Sequence, residues 1–236
     1  SRILGQGSGT LGQTSNTDIH QAYVRLMGLF GLEALSAQVG RFEMAYGTQR
    51  FIGAVGWHYI GRSFDGARFV YDISKTTSLD LFSTVEVETA RYKANPNHDF
   101  TPDDFSRSLA LHGLWLQSQL NKMHKFDIFA YMEINRDREN RYFTNGMNRT
   151  TLGASYWGNF GDFSTIAEFG YQMGAFGNRV HDSLNIDIAA MTVSVQGTFN
   201  YGDGSISLGF DMLSGTDSTN NADGINASYS ANFGTN

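Results

Sequence analysis

The stretch "SLDLFSTVEVETARY", residues 78–92, decides the fold. Leu79, Leu81, Val85 and Val87 fall on one face of an extended chain, and Asp80, Thr84, Glu86 and Glu88 fall on the other. Side chains alternate across a strand with period two, so this is a strand with one apolar and one polar face. It is longer than the ~5–6 residues usual for strands in water-soluble proteins. It exceeds even the ~9–11 that a tilted strand needs to cross a bilayer.

The alternation recurs along the chain. In "FDIFAYMEINR" (126–136), Ile128, Ala130, Met132 and Ile134 oppose Asp127, Tyr131, Glu133 and Asn135. In "AAMTVSVQGTF" (189–199), Met191, Val193, Val195 and Phe199 oppose Thr192, Ser194, Gln196 and Thr198. "SISLGFDM" (205–212) sets Ile206, Leu208, Phe210 and Met212 against Ser207, Gly209 and Asp211. "DIHQAYVRLM" (18–27) sets Ala22, Val24 and Leu26 against Gln21, Tyr23 and Arg25. "STIAEFGYQM" (164–173) fits less cleanly, and "LALHGLWLQSQL" (109–120) is apolar in both phases. The pattern predicts ten strands, at about 17–29, 35–44, 64–73, 78–92, 108–120, 125–136, 149–158, 163–173, 186–200 and 205–214.

The links between these strands alternate in length. "GLEA", "SKTT", "NKMH", "GNFGD" and "NYGDG" are short, whereas 45–63, 93–107, 137–148, 174–185 and the stretch from 215 onward are long. Short turns at one end and long loops at the other are the pattern of an outer-membrane barrel. A β-sandwich, a lipocalin-like barrel or a fibre also alternates, but does not usually sort its connections so regularly. The reading is an all-β chain, an antiparallel transmembrane β-barrel of the bacterial outer membrane, forming one domain over 1–236. No backbone N–H can face lipid unpaired, so a sheet in a membrane must close, with its apolar face outward. Leu79, Val85, Ile134, Val193 and Leu208 are therefore expected to face lipid, and Glu43, Asp72, Glu86 and Glu88 to be lumen acids. Trp57, Tyr92, Trp115, Tyr156, Trp157 and Phe160 are expected near strand ends, where interfacial aromatic girdles form.

Composition agrees with this and removes other classes. The chain has no Cys, which excludes disulfides and thiolate chemistry, and its net charge of −6 argues against a nucleic-acid partner. No run of apolar residues is long enough for a membrane helix. The mean hydropathy of −0.30 is what apolar and polar alternation averages to. The chain opens at Ser1 in "GQGSGTLGQTSN" and stops at "ASYSANFGTN", so the barrel is expected to be incomplete at one or both ends. A self-contained ten-strand barrel is the other reading, since barrels of eight strands and upward close.

"QAYVRL" (21–26), "VGRFEMAYGTQRFIGAVGWHYIGRSFDGARFVY" (39–71) and "GFDMLSGTD" (209–217) carry a resemblance to the alginate-export porin family of Gram-negative outer membranes. The middle block is the most specific. The resemblance implies a large monomeric barrel of about 18 antiparallel strands, with an arginine-rich constriction that passes an anionic polysaccharide or other anions. It puts Arg41, Arg50, Arg62 and Arg68 on the family's arginine-bearing block, as pore-lining, anion-contacting residues. Lumen arginines also pair with acids simply to hold loop and wall together, and Glu43, Asp65 and Asp72 are near enough in sequence to do so.

Other chemistry finds little support. His20, His58, His98, His112, His124 and His181 show no metal-ligand spacing, "DSTNNADG" (217–224) lacks the sixth-position glycine and the twelfth-position glutamate of a calcium loop, and there is no GxSxG elbow. No cofactor, metal or catalytic residue is expected. The function read is a channel for anionic or polar solutes, with lipid bilayer and lipopolysaccharide around it and protein partners at its loops. A plugged barrel that docks partner proteins is the alternative, and a barrel enzyme the third. Orientation is directly testable in this Cys-free chain. A cysteine at Asn97, in a long loop, is expected to react on intact cells with an impermeant maleimide, and one at Gly202, in a short turn, is not. The reverse pattern would invert the topology.

Overall fold

The computed structural model describes residues 19–56, 61–86, 109–135, 147–177, 185–215 and 225–226. Trp57, Glu88 and Tyr92, and the side chain of Glu86, lie outside the described residues. Ten strands form one antiparallel meander: β1 (Ala22–Met27), β2 (Leu35–Phe42), β3 (Phe64–Ser74), β4 (Thr77–Glu86), β5 (Leu109–Gln119), β6 (His124–Asn135), β7 (Met147–Phe160), β8 (Phe163–Gly177), β9 (Asn185–Tyr201) and β10 (Gly204–Leu213). Each pairs with the next, in sequence order, and a two-residue β11 (Ile225–Asn226) lies parallel beside β9. These are the ten strands that the alternation predicts. β1 is shorter than expected because Gly28 turns left-handed (φ 66°) and a 3-10 turn follows at Leu29–Gly31.

The short turns cluster at one end for a stereochemical reason. Phe160 pairs with Phe163 and Tyr201 with Gly204, which leaves two-residue hairpin loops, Gly161–Asp162 and Gly202–Asp203. Such loops match strand twist only with positive φ, supplied here by Gly161 (81°) and Gly202 (57°).

Register converts the sequence alternation into two continuous faces. Arg68, Phe82, Gly113, Tyr131, Thr151, Gln172 and Ala190 make one row across β3 to β9. The row beside it, Phe69, Leu81, Leu114, Ala130, Leu152, Tyr171 and Met191, lies on the opposite face. The apolar face is the open one: Phe69, Leu81, Leu114, Leu152 and Met191 are all at least 40% exposed. The face that carries Asp80, Asp127, Glu133, Arg149, Glu168 and Gln172 is buried. A protein in water would have this the other way round. In a bilayer the apolar face meets the solvent it prefers, and the polar one turns inward. Leu79, Val85, Ile134, Val193 and Leu208 all fall, by register, on the exposed apolar face.

Between β2 and β3, residues 43–56 and 61–63 form an inward segment that folds over the inner face. Met44, Tyr46, Phe51 and Ile52 bury themselves against Phe64, Phe82, Leu111, Trp115, Phe129 and Tyr131. Glycines inside the strands make room for these rings. A Cβ on Gly153 would lie 2.2 Å from the Phe129 ring, and one on Gly170 would lie 2.6 Å from the Phe51 ring. Trp115, expected at an interfacial girdle, is instead 1% exposed at the centre of this cluster. The inward segment decides its phase: it supplies an apolar partner on a face that is otherwise polar.

The two faces should respond differently to charge. Val193→Arg puts a guanidinium on the apolar face and is expected to cost about 2–4 kcal/mol of stability in lipid. Gln196→Arg, on the inner face and exposed, should cost far less. Urea unfolding from vesicles measures both, and equal costs would contradict the face assignment.

Candidate functional site: the inner wall and its inward segment

The inward segment is held on two sides by different chemistry. On the β4–β6 side the contacts are aromatic. Tyr46 stacks on Trp115 (centroids 4.6 Å apart, planes at 12°), Trp115 stacks on Phe129 (4.0 Å, 7°), and Phe51 tilts onto Phe129 (4.6 Å). Polar atoms at the edges of the stack are satisfied by wall acids. The Tyr46 hydroxyl donates to Asp80 Oδ2 (3.0 Å), and Trp115 Nε1 donates to Asp127 Oδ2 (2.9 Å). Arg68 Nη2 reaches the same Asp80 oxygen at 2.8 Å and holds its guanidinium carbon 5.6 Å from the Tyr46 ring centre. The ring quadrupole and the carboxylate thus hold one cation between them.

On the β8–β10 side the contacts are ionic. Thr48 Oγ1 donates to Glu168 Oε1 (2.6 Å) and Arg50 Nε to Glu168 Oε2 (2.8 Å). Arg50 Nη2 also donates to Ser194 Oγ (3.0 Å) and lies 3.0 Å from Asp211 Oδ1. Three residues of segment 43–63 therefore tie β4, β8, β9 and β10 together from inside. Between these anchors β6 and β7 carry a buried fork: Arg149 Nε and Nη2 each bond a Glu133 oxygen at 2.6 Å. Charge-assisted forks of this kind are the strong members of their class.

The four arginines of the sequence reading do not form one ladder. Arg50 and Arg68 are on the inner side, each against an acid. Arg62 lies in the returning arm of the inward segment, with Nη1 3.4 Å from the Gly53 carbonyl. Arg41 is on the opposite face, in phase with Ala37 and Val39, and its fork closes on Asp65 (2.8 and 2.9 Å) while Nη1 bonds the Ile19 carbonyl (3.0 Å). The expectation of Arg41 in the lumen is corrected by this register. The family resemblance implied an inward position, but period two fixes the direction, and the carboxylate paired opposite makes the outward position affordable. Glu43, expected as a lumen acid, lies beyond the end of β2 and meets His20 Nε2 at 2.5 Å. Asp72 shares the inner face with Arg68 at the short-turn end, where it is exposed.

Several inner-wall residues had not been singled out. Asp80, Asp127, Glu133, Glu168 and Asp211 lie on polar faces that the alternation identifies, and their pairing waits for the neighbouring strands. Arg149 opens a strand whose "TTLGASYWG" gives no clear phase. Of the expected girdle residues, Trp157 turns inward beneath the Lys125 ammonium (4.4 Å), Tyr156 bonds His124 Nδ1 (2.7 Å), and Phe160 sits exposed at its turn. Ser63, His20 and Glu43 make a chain with Ser–His–acid connectivity that no sequence spacing announces. Its serine is buried and donates to the His20 carbonyl (2.6 Å), a structural bond that engages the hydroxyl. Among the described residues, no three His, Cys, Asp or Glu side chains converge as a metal site.

An inverted sheet in a sequence-order meander, with its turns sorted by end, defines a bacterial outer-membrane β-barrel. The chain belongs to the alginate export family, which it matches over residues 5–236. Its fold is similar to that of Pseudomonas aeruginosa OccK10 (OpdN), at 11% sequence identity and a TM-score of 0.50, over 78% of this chain and 47% of that one. P. aeruginosa OccK8 (OprE) matches at 10% identity and a TM-score of 0.49, over 76% of this chain and 47% of that one. The chain thus spans about half the length of these outer-membrane porins. No curated protein matches it.

Among the described residues the Glu133–Arg149 pair is the most enclosed ion pair, at 1% and 5% side-chain exposure. Glu133→Gln is expected to lose about 3–5 kcal/mol, because it leaves a buried guanidinium uncompensated. Glu133→Leu combined with Arg149→Met should recover most of the loss, as measured by urea unfolding of the refolded barrel.

Proposed function

We propose that this chain forms part of an outer-membrane channel for polar or anionic solutes, an exported anionic polysaccharide among them. In this reading the inward segment narrows the lumen, and the arginines on and beside it set the charge that a passing solute meets. The observation that supports the reading is Arg50, which extends from the inward segment to Glu168, Ser194 and Asp211 on β8–β10 and stays 24% exposed beside them. Selection then follows from pore width and fixed charge, with no bond made or broken. Membership of the alginate export family supports the transport class. The surrounding partners in this reading are the bilayer along the apolar face, lipopolysaccharide in its outer leaflet, and proteins at the long loops.

A second reading has an observation of its own. The aromatic seat of Tyr46 and Phe51 is packed as tightly as a core, which favours a plugged barrel that docks partner proteins. Planar-bilayer conductance of the full-length protein separates the two. The channel reading predicts stepwise conductance. It also predicts that Arg50→Ala/Arg62→Ala/Arg68→Ala shifts the reversal potential in a salt gradient toward cation preference. That shift should be clear at low salt and shrink toward 1 M, where the screening length falls to about 3 Å. A silent bilayer together with co-purified subunits would favour the docking reading.

A further inference from the structure

We propose that Asp211 is a built-in competitor for the Arg50 guanidinium, which a solute carboxylate displaces on its way through the lumen. The inference rests on the channel reading and names the residue that regulates its entry site. A guanidinium has five N–H donors. Arg50 spends Nε on Glu168 and uses Nη2 on Ser194 and Asp211. Nη1 has no partner among the described residues. One edge of the fork is therefore fixed, and the end formed by Nη1 and Nη2 is only partly used.

The two acids on Arg50 are held very differently. Glu168 is buried (3% side-chain exposure), and its Oε1 is also bonded by Thr48 Oγ1 at 2.6 Å and Ser155 Oγ at 3.4 Å. It is a fixture of the wall, gripped from β7 and from the inward segment. Asp211 makes a single described contact, from Oδ1 to Arg50 Nη2, with its side chain 55% exposed. An exposed one-oxygen ion pair contributes little, whereas a carboxylate arriving end-on at Nη1 and Nη2 makes two charge-assisted bonds. The exchange leaves Glu168 and Thr48 in place, so the segment stays docked while the charge partner changes. Asp211 then neutralises Arg50 when the lumen is empty, and weakens the hold on each carboxylate that follows. That keeps binding shallow enough for release, as conduction requires.

The test uses the full-length protein in planar bilayers at low salt, with gluconate as the carboxylate and glucose as its neutral counterpart. The wild type is expected to show chloride current that gluconate reduces in a saturable way, and glucose does not. Asp211→Asn removes the competitor and should lower the half-saturating gluconate concentration about five- to tenfold, with glucose still inert. Arg50→Lys, a charge without the fork, should weaken saturation, and Arg50→Ala should abolish it. Asp211→Asn with wild-type gluconate saturation would overturn the proposal while leaving the channel reading intact. So would equal changes for gluconate and glucose, which would mean that the substitution merely widens the pore. A wild-type protein that passes no current would overturn the channel reading itself, and the proposal with it.

Discussion

Everything in this structure follows from one constraint: a backbone N–H or C=O in hydrocarbon has no partner but another backbone group. Ten strands answer it by pairing each with its sequence neighbour, over registers as long as fourteen to fifteen residue pairs between β7, β8 and β9. With β2 to β9 paired on both sides, the side chains divide by period alone. One face becomes the lipid contact and the other receives most of the groups that lipid rejects, while the Arg41–Asp65 fork stays on the outer face as a closed pair.

The inner face then has a problem of its own. It collects carboxylates and guanidiniums that are largely buried, and an unpaired charge there is expensive. The wall solves this by pairing across strands: Arg68 with Asp80 from β3 to β4, and Arg149 with Glu133 from β7 to β6. Segment 43–63 continues the same logic from inside, bringing Arg50 to Glu168 on β8. Its aromatic side needs different support. Glycines at 153 and 170 leave room for the Phe129 and Phe51 rings, so an apolar cluster forms on a face that is otherwise polar. The inward segment is thus anchored by burial on one side and by an ion pair and a hydrogen bond to Glu168 on the other.

The strands and their faces were legible in the chain before any contact was known. Leu79, Leu81, Val85 and Ile134 fall on the apolar face because period two is a local property of extended backbone, indifferent to what lies across the sheet. The sorted turn lengths were legible for a similar reason: a two-residue hairpin announces itself by its glycine and aspartate. Three things were not local. Trp115 sits in a strand that is apolar in both phases, and only the rings of Tyr46 and Phe129 above and beside it turn it inward. Arg41 looks like a lumen residue by its charge, and only the register that places Asp65 opposite makes an outward guanidinium stable. Arg50 and Glu168 are 118 positions apart, a pairing no periodicity encodes. The sequence by itself determined the strands, their two faces and the end at which they turn, because these depend on neighbours two to four residues away. Tertiary structure alone decided which arginines lie on the inner face and which acids hold them, because those contacts exist only once distant strands and the inward segment share one space.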